Sequence, residues 1–242
     1  DNDEPRFEEI CESTAGYLPA GYGGTNFFLR NYASGALCRG AVITNLNRGA
    51  LIVNYAGHGT LDYWAGENLF GVSYMKNLTN STRLPFVVTP TCMNGLFDMP
   101  HSYGAGTWSL GEVLVRTNGR GAVAALCPSS MSEPPDQKRL VDGLFTAIFS
   151  EGCFEVGPAV ARAKEMLNAS TGQASRVASE TFILFGDPAL RLKQWSGYAR
   201  DGVSPTVLET APASGSMSVD PADPVQIVFS EAMDDISVRA AF

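Results

Sequence analysis

Only two histidines, His58 and His101, occur in 242 residues, so the choice of an imidazole base is narrow. The five cysteines (Cys11, Cys38, Cys92, Cys127, Cys153) form no CxxC pair, and no Cys/His cluster has zinc-ligand spacing, which argues against a structural zinc site. Basic residues are outnumbered, 17 against 25 acids, for a net charge of −8 and a pI near 4.8. Nucleic-acid binding needs a basic face, so a nucleic-acid partner is not expected. No apolar run approaches the roughly 20 residues that span a bilayer, so no integral membrane segment is expected. No GxSxG elbow is present, which leaves a serine hydrolase poorly supported. A signal-peptide pattern is also missing. The chain opens at Asp1 rather than Met and stops at Phe242 within a strand-rich stretch, so both ends read as cut.

What remains is a folding composition, 45% hydrophobic and 17% charged, long enough for one large domain or one and a half ordinary ones. Residues 6–14 and 36–47 have helical apolar spacing, with a short run Phe27-Phe28-Leu29 between them that reads as a strand. Gly49 suits the position just past the second helix. Runs at 51–56, 84–91 and 121–126 read as buried parallel strands. Helices are expected from Ser109 to Arg116, near 136–150 and near 157–169, with Pro158 in a favourable first turn. Residues 176–192 supply a further helix or strand, broken by Gly186-Asp187-Pro188. Alternating helices and strands argue for an α/β fold with a mainly parallel sheet.

The character changes after Trp195. Residues 1–195 form the α/β domain, 196–204 a small polar linker, and 205–242 a Pro/Ser/Asp-punctuated segment with at most three short strands, too few for an independent sandwich. That tail carries six acids (Glu209, Asp220, Asp223, Glu231, Asp234, Asp235) against Arg239 alone. It reads as an incomplete all-β domain.

Chemistry concentrates at two strand ends. The run Leu51-Ile52-Val53-Asn54-Tyr55-Ala56 leads into Gly57-His58-Gly59, and Leu84-Pro85-Phe86-Val87-Val88-Thr89-Pro90 leads into Thr91-Cys92-Met93-Asn94-Gly95. Carboxyl ends of adjacent parallel strands converge on one crevice. A thiol and an imidazole delivered there can act as nucleophile and acid/base partner. By itself Cys92 reads equally as a buried core cysteine and His58 as a satisfied loop histidine. Their joint placement points to a cysteine peptidase.

These segments, taken in order with Ser109-Leu110-Gly111-Glu112, Gly119 to Leu126 and Phe185-Gly186-Asp187-Pro188-Ala189-Leu190, resemble the gingipain family of cysteine peptidases over roughly residues 1–193. The 34 residues from His58 to Cys92 also suit that family. The resemblance implies a caspase-like three-layer α/β fold, of which this chain is the second, catalytic half, the upstream half lying outside it. It implies Cys92 as nucleophile, His58 as general acid/base, and the N–H groups of Gly59 and Cys92 as the oxyanion hole. Asp1, 57 residues before His58, is the candidate acid that orients the imidazole, with Asp3 second and an ordinary solvated terminus as the alternative. Glu8, Glu9 and Glu12 are a solvated helix face or, for one of them, an acid lining a pocket for a basic substrate side chain. His101 is a loop histidine within reach of substrate. Cys38, Cys127 and Cys153 read as small buried hydrophobes. Glu112 reads as a structural carboxylate and Asp187 as a turn residue.

The tail resembles the opening of a bacterial immunoglobulin-like (Ig-like) domain, with Phe229-Ser230-Glu231-Ala232-Met233-Asp234 as its most telling stretch. The expected partners are protein or peptide substrates, and the expected location is extracellular or on the bacterial cell surface. No cofactor is required, and a structural calcium is compatible with the resemblance. Two further readings stand beside an endopeptidase: a sortase-like transpeptidase of type IX secretion, and a catalytically silent surface-binding module.

Overall fold

The computed structural model describes residues 2–98, 108–169, 173–193, 207–212 and 226–229. The chain forms two compact units, Asp1–Gln194 and Trp195–Phe242. In the first, helix α1 (Pro5–Thr14) begins with Pro5 in its first turn, where a missing N–H leaves no bond unmade. It buries Phe7 and Ile10. Helix α2 (Gly35–Arg48) is capped by Ser34, whose hydroxyl accepts the Leu37 N–H, and closes at Gly49 with φ 93°. That left-handed backbone is open to glycine at no cost, as a helix C-terminus requires.

The strand expected at 27–29 is absent: Leu29–Asn31 is a 3-10 turn, and Phe27 and Phe28 adopt no regular structure. An apolar triplet becomes a strand only where a neighbouring edge can pair its backbone. Phe28 instead places its ring under the Arg30 guanidinium, 4.6 Å from the centroid.

The chain continues through β1 (Ile52–Asn54), a hairpin of β2 (Tyr63–Trp64) and β3 (Phe70–Gly71), then β4 (Phe86–Val88), α3 (Leu110–Arg116), β5 (Ala124–Pro128) and α4 (Pro134–Phe145). Helix α4 runs into a π-turn at Thr146–Ser150, followed by α5 (Val156–Ala169), α6 (Gln173–Thr181) and β6 (Phe182–Phe185). The main sheet has the order β1-β4-β5-β6. The first three strands are parallel, with Val53 beside Val87 and Val87 beside Ala125, while β6 is antiparallel to β5. The ambiguous stretch after 176 is therefore both elements, a helix that passes directly into an edge strand. Asp187 is a turn residue, its carboxylate accepting the Ala189 N–H at 2.9 Å.

Side chains alternate across the sheet as the pleat demands. Phe86, Val88, Ala124 and Leu126 join a core with residues of α1, α4, α5 and α6. Val87, Ala125 and Cys127 join a second core with residues of α2, the β2–β3 hairpin and α3. Helices thus cover both faces of a mostly parallel sheet. Strands β4 and β5 are buried throughout, as interior strands are. Strand β1, expected to be fully buried, is only half-buried because among the described residues it has a ladder partner on one side alone.

All five cysteines are free thiols. Burial pushes the Cys127 thiol up to about 12 and raises those of Cys11 and Cys38. Cys153, expected to be buried, is only partly so.

In the second unit β7 (Val207–Ala211) pairs antiparallel with β8 (Gln226–Phe229), and most of the stretch singled out as Ig-like lies outside the described residues. The two strands among the described residues cannot bury a core by themselves. Deleting 199–242 is accordingly expected to leave the melting temperature of the first unit unchanged by calorimetry; a marked drop would make the tail an integral part of it.

Candidate active site

The parallel ladder between β1 and β4 continues past both strands. Tyr55 N–H donates to the Val88 carbonyl at 2.9 Å and Gly57 N–H to the Pro90 carbonyl at 3.4 Å. This register carries His58-Gly59 alongside Thr91-Cys92. The approach is close: a β-carbon on Gly59 would collide with the Thr91 hydroxyl and lie 2.9 Å from the Cys92 carbonyl oxygen. Only glycine fits here.

Each side of the site is held by specific bonds. The His58 carbonyl accepts from the Tyr55 hydroxyl at 2.7 Å and from the Ala65 N–H at 2.8 Å, and the Tyr55 ring stacks on Trp64 at 4.4 Å. The His58 ring is exposed and meets Phe7 of α1 edge to face at 5.1 Å. Cys92 is half-buried, and its thiol donates to the Ser132 carbonyl at 3.6 Å. Directly after it Met93 takes φ 58°, a left-handed conformation uncommon for a residue with a β-carbon. Bonds from Met93 N–H to Ser130 (3.1 Å) and from Gly95 N–H to Pro128 (2.8 Å) tie this turn to the end of β5. Among the described residues neither the Gly59 nor the Cys92 N–H donates to a backbone carbonyl.

Asn94, within the Thr91–Gly95 segment, joins the two halves. It is fully buried. Its amide donates to the Thr60 carbonyl, just past Gly59, and accepts from the Trp64 indole at 2.8 Å. Its own carbonyl accepts the Gly111 N–H at the start of α3. No local sequence pattern marks it. Glu112 is structural: with Ser109 it forms the capping box that starts α3.

Of the remaining candidates, Asp1 and His101 lie outside the described residues. Glu8 and Glu12 both pair with Arg30. Glu9 is exposed on α1. Glu4, not singled out by sequence, feels His58: its carboxyl is held below the usual range chiefly by its hydrogen bonds with Arg6, and the imidazole adds a smaller pull in the same direction. A cavity of about 380 Å³ runs along the outer edge of β1, lined by Phe7, Glu8, Cys11, Phe28 and Asn54 among others, and neither His58 nor Cys92 touches it. Both amide atoms of Asn54 are buried there without a hydrogen-bond partner. The described residues hold no cluster of three or more His, Cys, Asp or Glu able to ligate a metal, and none of their helices is long and apolar enough to cross a membrane.

Helices on both faces of a mostly parallel sheet define an α/β class of protein, and the family model of peptidase family C25 matches residues 1–193; the chain belongs to that family. It is similar to gingipain R2 of Porphyromonas gingivalis, 46% identical over 61 residues, which is 24% of this chain and 8% of that protein. Gingipain R1 of the same organism is also 46% identical over 61 residues, covering 24% of this chain and 6% of the relative. The solved Arg-specific cysteine proteinase gingipain R shares the fold at a TM-score of 0.58 and 24% identity, over 80% of this chain and 43% of that one. A complex of the pro- and mature domains of P. gingivalis RgpB gives 0.60 at 22% identity, over 80% and 44%. The chain thus spans less than half the length of these solved structures and a small fraction of the curated relatives.

Proposed function

We propose that this chain carries the catalytic half of a secreted cysteine endopeptidase, with Cys92 as nucleophile and His58 as general acid/base. The observation that carries the reading is the packing of Gly59 against Thr91-Cys92, which sets the histidine and cysteine loops side by side. The Cys92 thiolate attacks the scissile carbonyl carbon, and the oxyanion forms against the N–H groups of Gly59 and Cys92. His58, holding the thiol proton, passes it to the leaving amine as the C–N bond breaks and leaves a thioester. Water then gives a proton to the imidazole, attacks the thioester, and the product acid departs as the thiol is restored. Asp1 orients the imidazole by accepting its second N–H. No metal or cofactor takes part, and a calcium ion would be structural only.

The substrates are proteins or peptides. A basic substrate side chain seeking Glu8 or Glu12 would compete with Arg30, which leaves Glu9 the least encumbered of the three acids; His101 would contact substrate from its loop. The upstream half of the caspase-like domain would complete the sheet at the outer edge of β1, a reading supported by the lack of a ladder partner there among the described residues, the cavity beside it and the partial coverage of the solved relatives. Residues 196–204 are a linker and 205–242 the start of an Ig-like domain, as suits an extracellular or surface-bound protein. A sortase-like transpeptidase would share the acyl-enzyme, but no observation favours an amine over water. A silent binding module would have no use for the Cys–His crevice.

An electrophilic peptide analogue, such as a peptidyl acyloxymethyl ketone, is expected to label Cys92 alone in the full-length protein. Burial raises the thiols of Cys11, Cys38 and Cys127; Cys11 and Cys153 are the partly exposed cysteines besides Cys92, which leaves Cys153 the main competitor. Mass mapping that finds the label on Cys153 in place of Cys92 would overturn the assignment.

A further inference from the structure

Gln137 lies in the first turn of α4 and is 1% exposed. Its amide nitrogen donates to the Ser132 carbonyl at 2.9 Å, to the Ser132 hydroxyl at 3.0 Å and, more weakly, to the Thr91 carbonyl at 3.4 Å. The Ser132 hydroxyl in turn donates to the Thr91 carbonyl at 2.7 Å. The Cys92 thiol donates to the same Ser132 carbonyl that Gln137 holds. One buried amide therefore fixes both the carbonyl just before the cysteine and the carbonyl on which its S–H rests.

Among the described residues no other side chain except the Cys92 thiol itself donates to the Ser132 carbonyl, and the Ser132 hydroxyl that shares the Thr91 carbonyl is itself held by Gln137. The loop after β5 is tied at Ser129, whose N–H and hydroxyl donate to the Thr181 carbonyl, and at Ser130, which accepts the Met93 N–H. Those bonds stop two residues short of Ser132. The Gln137 amide oxygen, meanwhile, is buried without a partner. A side chain there for packing alone would be leucine or methionine, which leave no polar atom unpaired. A carboxamide retained with half its polar atoms unsatisfied points to the work of the other half.

Resting on the peptidase reading above, we propose that Gln137 is a positioning residue for the nucleophile: by clamping the Ser132 and Thr91 carbonyls it sets the direction of the Cys92 thiol toward the scissile carbonyl. It touches neither substrate nor the reacting atoms. Its effect belongs to the geometry of attack, so it appears in kcat and leaves KM nearly unchanged.

The test compares Gln137→Met and Gln137→Glu with the parent, all as full-length protein, on the peptidyl-aminocoumarin substrate the parent cleaves fastest. Methionine keeps the volume and removes the donor. Its kcat is expected to fall ten- to roughly a hundredfold, the scale of a misplaced reacting group, with KM within about twofold. Labelling of Cys92 by a peptidyl acyloxymethyl ketone should slow by the same factor, whereas alkylation by iodoacetamide, a small reagent with no fixed direction of approach, should not. A buried glutamic acid facing carbonyl oxygens keeps its proton and supplies one O–H donor, so Gln137→Glu should return most of the lost kcat. Should Gln137→Met fail to fold, Gln137→Asn, whose amide stops one methylene short, takes its place. Parent-like kcat in the donor-less variant, or losses in which both reagents and KM move with the melting temperature, would overturn the proposal. A parent that cleaves no peptide and takes no label at Cys92 refutes the peptidase reading instead, and the positioning role falls with it.

Discussion

Cys92→Ala and His58→Ala are each expected to lower kcat/KM on the order of 10⁴-fold or more, and the double variant to be no worse than either alone. A thiol without its base is mostly protonated at neutral pH, and a base without the thiol has nothing to activate, so the second loss removes what the first has already disabled. In the proposed mechanism the two side chains act together because β1 and β4 run parallel and in register and the loops that follow them lie side by side, so the effect is a property of the pair. Measured kcat/KM values for the two single variants and the double, on the full-length protein, check this. Losses that multiply would place the two residues on different steps and dismantle the proposed mechanism.

Gly59→Ala is the second large effect. A β-carbon there meets the Thr91 hydroxyl and comes within 2.9 Å of the Cys92 carbonyl, and backbone atoms cannot yield as a side-chain tip can. The loops must part. That moves the proposed oxyanion donor and the nucleophile away from one another, and kcat/KM is expected to fall by about a hundredfold or more. The melting temperature should fall as well, since the same contact seals the end of the β1–β4 ladder. Gly66→Ala is the control: it lies in the β2–β3 turn, and nothing lies within 4 Å of its β-carbon position. A Gly59→Ala protein as active as Gly66→Ala would show that the loops need not touch.

Much of this molecule was legible from local pattern. Unbroken β-branched and apolar runs at 51–56, 84–91 and 121–126 announced the parallel strands. Ser109 with Glu112 announced the start of α3, and Asp187 announced a turn. Each rests on neighbours a few positions apart, so no partner from elsewhere in the chain is needed to read it. The adjacency of the loops after β1 and β4 followed at one remove, since parallel strands deliver their carboxyl ends to one end of the sheet.

Other features depended on what lies across space. Phe27-Phe28-Leu29 has the composition of a strand and finds no edge to pair with. Residues 176–185 turn from helix to strand because the free edge of β5 accepts Phe182–Phe185 in antiparallel register. Glu8 and Glu12 looked like a free acidic face until α1 was set beside Arg30. Asn94 and Gln137 are ordinary polar residues in sequence, and only burial makes their hydrogen bonds obligatory.

The sequence by itself therefore determined the α/β class with its mainly parallel sheet and the family, because strand periodicity and short motifs are written within a few consecutive positions. The tertiary structure alone decided which strand is the edge, which carboxylates are already paired, and which buried amides hold the cysteine turn. Those depend on contacts between residues 18 to 46 positions apart, as in Glu12 with Arg30 and Thr91 with Gln137, and no local pattern encodes a distance of that kind.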